Sequence, residues 1–136
     1  MTLIDANVLL DLVTDDPHWA QWSIDQLEAA SLRGPLLIND VVYAELSVRY
    51  ERIEAIEAVL SETGIAVAPV PRAALFLAGK VFASYRKAGG TRTGVLPDFI
   101  IGAHAAVSEL PLLTRDSGRY SRYFPSLSLI SPETGV

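Results

Sequence analysis

The chain has 136 residues, half of them hydrophobic, no cysteine and a net charge of −5. That length and apolar content predict a single domain, 1–136, with a real core, and exclude a disordered chain. The missing cysteines exclude disulfides and thiolate-held zinc. No apolar run is long enough to span a bilayer, and the start lacks the basic flank and cleavage site of a signal peptide, so the expectation is a cytoplasmic protein with no membrane role.

Charge is unevenly spread. Residues 1–62 hold 12 Asp and Glu against 3 Arg, whereas residues 63–136 hold 8 Lys and Arg against 4 Asp and Glu. Two of those four late acids are Asp98 and Asp116. A solvated face accounts for any one of these charges. Two carboxylates set among Lys80, Arg86, Lys87, Arg92, Arg115, Arg119 and Arg122 also suit a polyanionic substrate.

Thr2 to Ile4 reads as a short strand. It ends on Asp5, with Asn7 two residues on, and open α/β sheets bind ligands just past the carboxyl ends of their strands. Val8 to Val13 is mostly apolar and predicts a helix or turn. Asp16-Pro17 starts a helix, with Asp as cap and Pro in the first position. It runs to about Leu32, with Ala20, Ile24, Leu27 and Ser31 as its buried stripe, and Gly34-Pro35 stops it. Leu36 to Ile38 is the second strand. Asn39 and Asp40 then offer caps for a helix from about Asp40 to Tyr50. In it, Glu45 falls on the arc of Val41, Val42 and Val48. A carboxylate on an apolar arc is costly unless paired or metal-bound; the plainer account is a surface pair with Arg49 at i, i+4. This segment alone leaves both open.

Ile53, Ile56 and Leu60 continue a helical period to Gly64, a C-cap position. Ile65 to Val70 is a third strand, which Pro69 makes an edge strand or cuts short. Pro71 opens a helix to about Ala88, striped by Leu75, Ala78, Phe82 and Tyr85. The loop Gly89-Gly-Thr-Arg-Thr-Gly94 matches neither the P-loop nor the dinucleotide fingerprint. Pro97 sits near the first position of the next helix. Asp98 therefore lies in its first turn, where capping alone explains an aspartate. Ile101, Gly102 and Ala105 continue its face, small enough to let the helix approach the sheet and bring Asp98 near the strand ends. His104 falls on another face, as a packed or hydrogen-bonded side chain. Leu112 to Thr114 is a fourth strand leading to Asp116, Ser117 to Phe124 a short helical turn, and Leu127 to Ile130 the last strand. This alternation predicts an α/β fold with a mainly parallel sheet and helices on both faces.

Asp5 and Asp116 follow strands, and Glu45 and Asp98 lie early in helices that leave the same edge. Four carboxylates brought together repel one another, so a cation must sit among them. With no cysteine and two histidines the ligands are hard oxygens, which points to Mg²⁺ or Mn²⁺. Such a site can activate water for in-line displacement at phosphorus.

Together these segments resemble the PIN-domain family, and more narrowly its VapC-type toxin ribonucleases. The resemblance is carried by Leu-Ile-Asp5-Ala-Asn7-Val-Leu-Leu-Asp-Leu, Ala44-Glu45-Leu46, Pro97-Asp98-Phe-Ile-Ile-Gly-Ala-His104-Ala, Leu113-Thr114-Arg-Asp116, Tyr-Phe-Pro125 and Leu-Ile-Ser-Pro132, in that order over nearly the whole chain. It implies a three-layer α/β/α fold and an Mg²⁺- or Mn²⁺-dependent endoribonuclease. The enzyme would be the toxin of a toxin–antitoxin pair, with a cognate antitoxin as partner and a homodimer as assembly. Asp5, Glu45, Asp98 and Asp116 are implied as the catalytic acids, with Asp5, Asp98 and Asp116 on the metal. Asn7 and Thr114 would orient the carboxylates by hydrogen bonds. Lys87, Arg92, Arg115 and Arg119 are the expected holders of the RNA backbone. The Ser or Thr that often precedes the family's glutamate helix is absent, and Asn39 and Val42 stand there.

Other folds share parts of this pattern. A haloacid-dehalogenase-type phosphatase also begins with a strand-end Asp, but it needs a second Asp where Asn7 stands and a late Lys. A receiver domain needs paired acids near its first strand and the same late Lys. A PIN fold kept as a catalytically idle binding module is the third alternative, and the presence of all four acids speaks against it.

Overall fold

Thr2–Ile4 forms the first strand, β1, with all three side chains buried. Burial on both faces is what a central parallel strand requires. The computed structural model describes residues 1–132, so the last four residues of the expected domain lie outside the described part. The helices α1 (Ala6–Val13) and α2 (Ala20–Arg33) lead to β2 (Leu36–Asn39); α3 (Asp40–Ser47) and α4 (Ile53–Thr63) lead to β3 (Ile65–Ala68). Then come α5 (Arg72–Lys87), α6 (Leu96–Val107), β4 (Leu112–Leu113), α7 (Ser117–Tyr123) and β5 (Leu129–Ile130).

All strand pairings are parallel and the order is β3-β2-β1-β4-β5. The chain steps outward from β1 to β2 to β3, then returns past β1 to place β4 on its other side. Right-handed crossovers put the helices of the outward half on one face and those of the return half on the other. The result is the expected three-layer α/β/α architecture. The reversal between β1 and β4 opens a crevice at their carboxyl ends, the place where ligands bind in such sheets. Among the described residues no helix is long and apolar enough to cross a membrane.

Local signals set many boundaries. Asn39 caps α3, its Oδ1 accepting from Val42 N at 3.0 Å. Gly64 takes the left-handed conformation that ends α4, with φ of 70°. β3 is an edge strand and stops before Pro69, which cannot donate to a ladder. His104 is buried, its Nδ1 3.1 Å from Asn39 Nδ2.

Two elements, α2 and α5, depart from the expected pattern. The second helix begins at Ala20, not Pro17. Asp16 Oδ1 accepts from His18 N at 2.8 Å and Trp19 N at 2.9 Å, but it closes a turn that precedes the helix. The buried stripe of α2 is Ala20, Ser23, Leu27 and Ala30, and Ser31 is exposed. A buried serine joins the stripe because its hydroxyl donates to Asp11 Oδ2 at 2.7 Å. In α5 the fully buried residues are Ala74 and Ala78, while Leu75 is about half exposed at 46%; small side chains allow the close contact of α5 with α6. Gly102 of α6 faces the rings of α7 and its C-cap. A Cβ there would lie 2.6 Å from the Phe124 ring and 3.1 Å from that of Tyr120.

Gly79 is exposed within α5, where an added Cβ meets nothing within 4 Å. Two glycine-to-alanine changes should therefore differ in sign. Gly102→Ala is expected to destabilise by about 1–3 kcal/mol through overpacking. Gly79→Ala should stabilise by about 0.5–1 kcal/mol through helix propensity. Urea unfolding of both variants checks this, and a stabilising Gly102→Ala would contradict the packing described.

Candidate active site

Asp5 stands at the carboxyl end of β1 and is only 5% exposed. Its backbone N–H donates to Leu113 O of β4 at 2.9 Å, and its side chain caps α1, Oδ1 accepting from Ala6 N at 2.8 Å. Oδ2 accepts from Thr114 Oγ1 at 2.7 Å, Tyr120 Oη at 3.1 Å and Asn7 Nδ2 at 3.3 Å. Three donors fill Oδ2, so the free lone pair of this carboxylate is on Oδ1. Thr114 is the hub of this network. Its hydroxyl also accepts from Asp116 N at 3.0 Å and Asn7 Nδ2 at 3.3 Å. Asn7 Oδ1 in turn accepts from Arg115 N at 3.2 Å. Asn7 and Thr114 thus orient Asp5 and tie β1 to the turn after β4.

The other acids converge on the same crevice. Asp98 is in the first turn of α6, and Arg119 Nη1 of α7 donates to its Oδ2. Glu45 lies in α3 with Oε1 buried and, among the described residues, without a hydrogen-bond partner. The alternative Glu45–Arg49 pair is not formed among the described residues, and Arg49 is exposed. Asp116 caps α7, Oδ1 accepting from Arg119 N at 3.5 Å, and is the most open of the four.

These carboxylates feel one another. Burial pushes Asp5 up to about 6, against its hydrogen bonds, with Asp98 adding to the rise. Burial pushes Glu45 up to about 7, and Asp5 and Asp98 raise it further. Asp98 is raised by burial and held back by Arg119. Tyr120 is 1% exposed and its hydroxyl is driven well above the usual tyrosine range by burial, then by Asp5 and Asp98. It stays protonated and acts as a fixed donor to Asp5.

A family profile described as PIN domain matches residues 2–124. The chain belongs to the PIN domain family. No curated protein sequence matches it. Among solved structures its fold is similar to that of VapBC2 from Rickettsia felis bound to a DNA fragment from their promoter, with a TM-score of 0.73, 18% identity, and 96% of this chain and 97% of the other covered. It is also similar to a toxin–antitoxin complex from Klebsiella pneumoniae (TM-score 0.68, 21% identity, 97% and 98% covered). FitAcB from Neisseria gonorrhoeae is a third, with TM-score 0.69, 17% identity, and 98% and 99% covered. Membership in this family sets aside the phosphatase and receiver readings.

This PIN domain brings Asp5, Glu45, Asp98 and Asp116 to one edge, but it does not close them around a point. Among the described residues no three Asp, Glu, His or Cys side chains are gathered to hold a metal ion as they stand. Arg119 occupies one oxygen of Asp98, and Thr114, Tyr120 and Asn7 fill one of Asp5. The donor set itself fits a hard divalent cation: carboxylate oxygens only, with Glu45 Oε1 left buried and unsatisfied. An orphaned buried carboxylate oxygen is costly without a counter-charge.

The basic residues divide. Arg119 pairs with Asp98. Arg92 is exposed, its charge acts on Asp98, and its backbone N–H donates to Tyr85 Oη at 2.9 Å. Lys87 is exposed in the last turn of α5 and takes part in none of these contacts. Arg115 Nε lies 2.9 Å from Oδ2 of Asp11, which is buried in α1, and its guanidinium lies 5.1 Å from the Trp19 ring. The Nε–H is not aligned for a hydrogen bond, so charge holds this pair. Ser23 supplies the hydrogen bond to the same oxygen.

Sequence reasoning missed Tyr120 and the Asp11–Ser23–Arg115 cluster. Two signals were available. Tyr120 follows the capping Asp116 by four residues, one helical turn, and Asp11 stands alone as an acid between Leu10 and Leu12.

Two outcomes follow from this electrostatics. A folded-state carboxyl raised above its unfolded value holds a proton that the unfolded chain has lost, so its stabilising effect disappears as pH rises through the folded value. For Glu45 that window runs from about 4.5 to about 7. His104, lowered by burial, works in the opposite direction. Glu45→Gln should therefore melt close to the parent at pH 5 and above it at pH 8 in metal-free buffer. A difference independent of pH would remove the assigned shift. Arg115→Ala leaves Asp11 buried without its charge partner and should cost about 3 kcal/mol in urea unfolding. The more exposed Arg119–Asp98 pair should give about 1 kcal/mol or less when Arg119 is removed.

Proposed function

We propose that this PIN domain is an Mg²⁺- or Mn²⁺-dependent endoribonuclease and the toxin of a toxin–antitoxin pair acting in the cytoplasm. The observation that carries the nuclease reading is the mutual field of Asp5, Glu45 and Asp98 at the β1/β4 crevice, with Glu45 Oε1 left without a protein partner. The toxin reading is supported by the fold it shares with toxin–antitoxin complexes, and it brings with it an antitoxin partner and a homodimer.

Asp5 through Oδ1, Asp98 and Asp116 would hold the cation, with Glu45 completing the acidic wall. A bound divalent ion would supply a water of lowered pKa and a counter-charge for the transition state at phosphorus. The chain's own residues do the rest. Thr114, Asn7 and Tyr120 fix Asp5 so that only one of its oxygens faces the ligand. Glu45 Oε1 can accept a proton from water. Arg119, once free of Asp98, would offer its guanidinium to an anionic oxygen of the substrate. Arg92 and Lys87 hold flanking phosphates by charge. Arg115 is a tie between α1 and the β4–α7 turn, not a phosphate contact.

Asp5→Ala and Asp98→Asn should abolish Mg²⁺-dependent cleavage of single-stranded RNA while leaving the melting transition cooperative. Gel analysis of RNA with purified protein, with and without EDTA, reads the activity. Calorimetric Mn²⁺ titration reads the loss of metal. Undiminished cleavage by Asp5→Ala, or by the parent in EDTA, would defeat the proposal. Failure of the parent protein to cut any RNA would favour the idle binding module.

A further inference from the structure

Beyond the Arg119–Asp98 pair lies a pocket of about 240 Å³ that no role yet described uses. Its floor is Val95 and Phe99, both buried, and its walls are Tyr85 and Tyr123. The three rings pack together: Phe99–Tyr123 centroids are 5.0 Å apart in a tilted arrangement, and Tyr85 meets Phe99 at 5.7 Å and Tyr123 at 6.1 Å edge to face. Arg92, Arg119 and Arg122 line it with three positive charges, and among the described residues no carboxylate or amide side chain does. The loop 89–94 is shaped to complete it. Tyr85 Oη accepts from Arg92 N, and a Cβ at Gly90 would lie 2.4 Å from the Tyr85 ring, so that loop can settle on the ring only with glycine there.

We propose that this pocket binds one unpaired guanine nucleotide of the RNA, next to the bond that is cut. The proposal rests on the ribonuclease reading. Aromatic walls suit a planar base, whereas an acidic peptide would satisfy the arginines but leave the rings unused. The volume fits a single base and excludes a stem. The arginines then decide which base. Guanine presents two acceptors, O6 and N7, that match a guanidinium fork. The amino groups of adenine and cytosine need acceptors such as Asn, Gln, Asp or Glu, and none lines the pocket. Arg119 is engaged with Asp98 until a cation takes that carboxylate, and is then committed to the reacting phosphate. Arg122 lies 5.5 Å over the Tyr123 ring, which holds its guanidinium beside the stacking surface. Arg122 therefore reads the base, and Arg92, whose charge reaches Asp98, takes the phosphate on the side of the acids.

Fluorescence anisotropy with labelled RNA hexamers tests this in EDTA, where cleavage does not interfere. The hexamers are all-adenosine or carry one guanosine. The parent protein should bind the guanosine hexamer about tenfold tighter. Arg122 is exposed, so Arg122→Ala should fold normally and lose that preference. Arg122→Lys should keep the salt dependence but not the preference, because an ammonium cannot make the bidentate contact. Arg92→Ala should lower the log–log salt slope by about 0.7 for both hexamers. Lys87→Ala, outside the pocket, should weaken both equally. Equal binding of the two hexamers by the parent, a preference that survives Arg122→Ala, or tighter binding of an oligoglutamate peptide than of RNA would each overturn the pocket assignment. Cleavage in Mg²⁺ without guanine preference overturns the pocket alone. Guanine preference without cleavage supports the pocket and overturns the nuclease reading.

Discussion

Asp5 carries a carboxylate into a place nearly closed to water, and the surroundings are built to tolerate it. Its backbone joins β1 to β4, its Oδ1 starts α1, and its Oδ2 draws in Thr114, Tyr120 and Asn7. One side chain thus fixes the direction of the first helix, the turn after β4 and the seating of α7. Burial alone would hold the group neutral, and the donors pull it back toward ionisation. The balance leaves it near 6, where a cation can shift it at small cost.

The charge asymmetry of the chain takes on a spatial meaning around this group. Asp5 and Glu45 come from the acidic half, Asp98 and Asp116 from the basic half. The return half of the fold, α5 to α7, brings Arg92, Arg119 and Arg122 with it. Carboxylates line the crevice and guanidiniums its rim. Under the proposed function, such a gradient would draw a polyanion in by its backbone and meet it with acids that need a cation to accept it.

The sequence made the strands, most helices and the four acids legible because each rests on a local signal. A strand-end Asp, a proline near a helix start, a C-cap glycine and an apolar period all work within a few residues. Relations between distant segments were not legible. The stripe of α2 was misplaced at Ser31 because Ser23 is buried by a bond to Asp11, twelve residues away. Arg115 read only as a holder of the RNA backbone, because nothing near it in sequence announces Asp11 and Trp19. Tyr120 looked like one aromatic in a polar turn, and only the sheet places it against Asp5. The acids were identified by type and order, while the side chains that set their charge were identified only by contact.

The sheet is not laddered evenly. β2 and β3 pair over four positions, and β4 and β5 are two residues each. The crevice therefore has one wall backed by extended backbone pairing and another held chiefly by buried rings such as Tyr120 and Phe124. In terms of amide exchange, the four-position β2–β3 ladder is expected to open more slowly than the two-residue β4–β5 ladder, since short ladders open with little loss of hydrogen bonding. Asp5 sits between the two, at the end of β1, where its backbone N–H donates to β4, and Asp116, Arg119 and Arg122 lie on the α7 side. Under the proposed function, a flexible strand of nucleic acid would be accommodated by small shifts of the second wall while the buried carboxylate keeps its place.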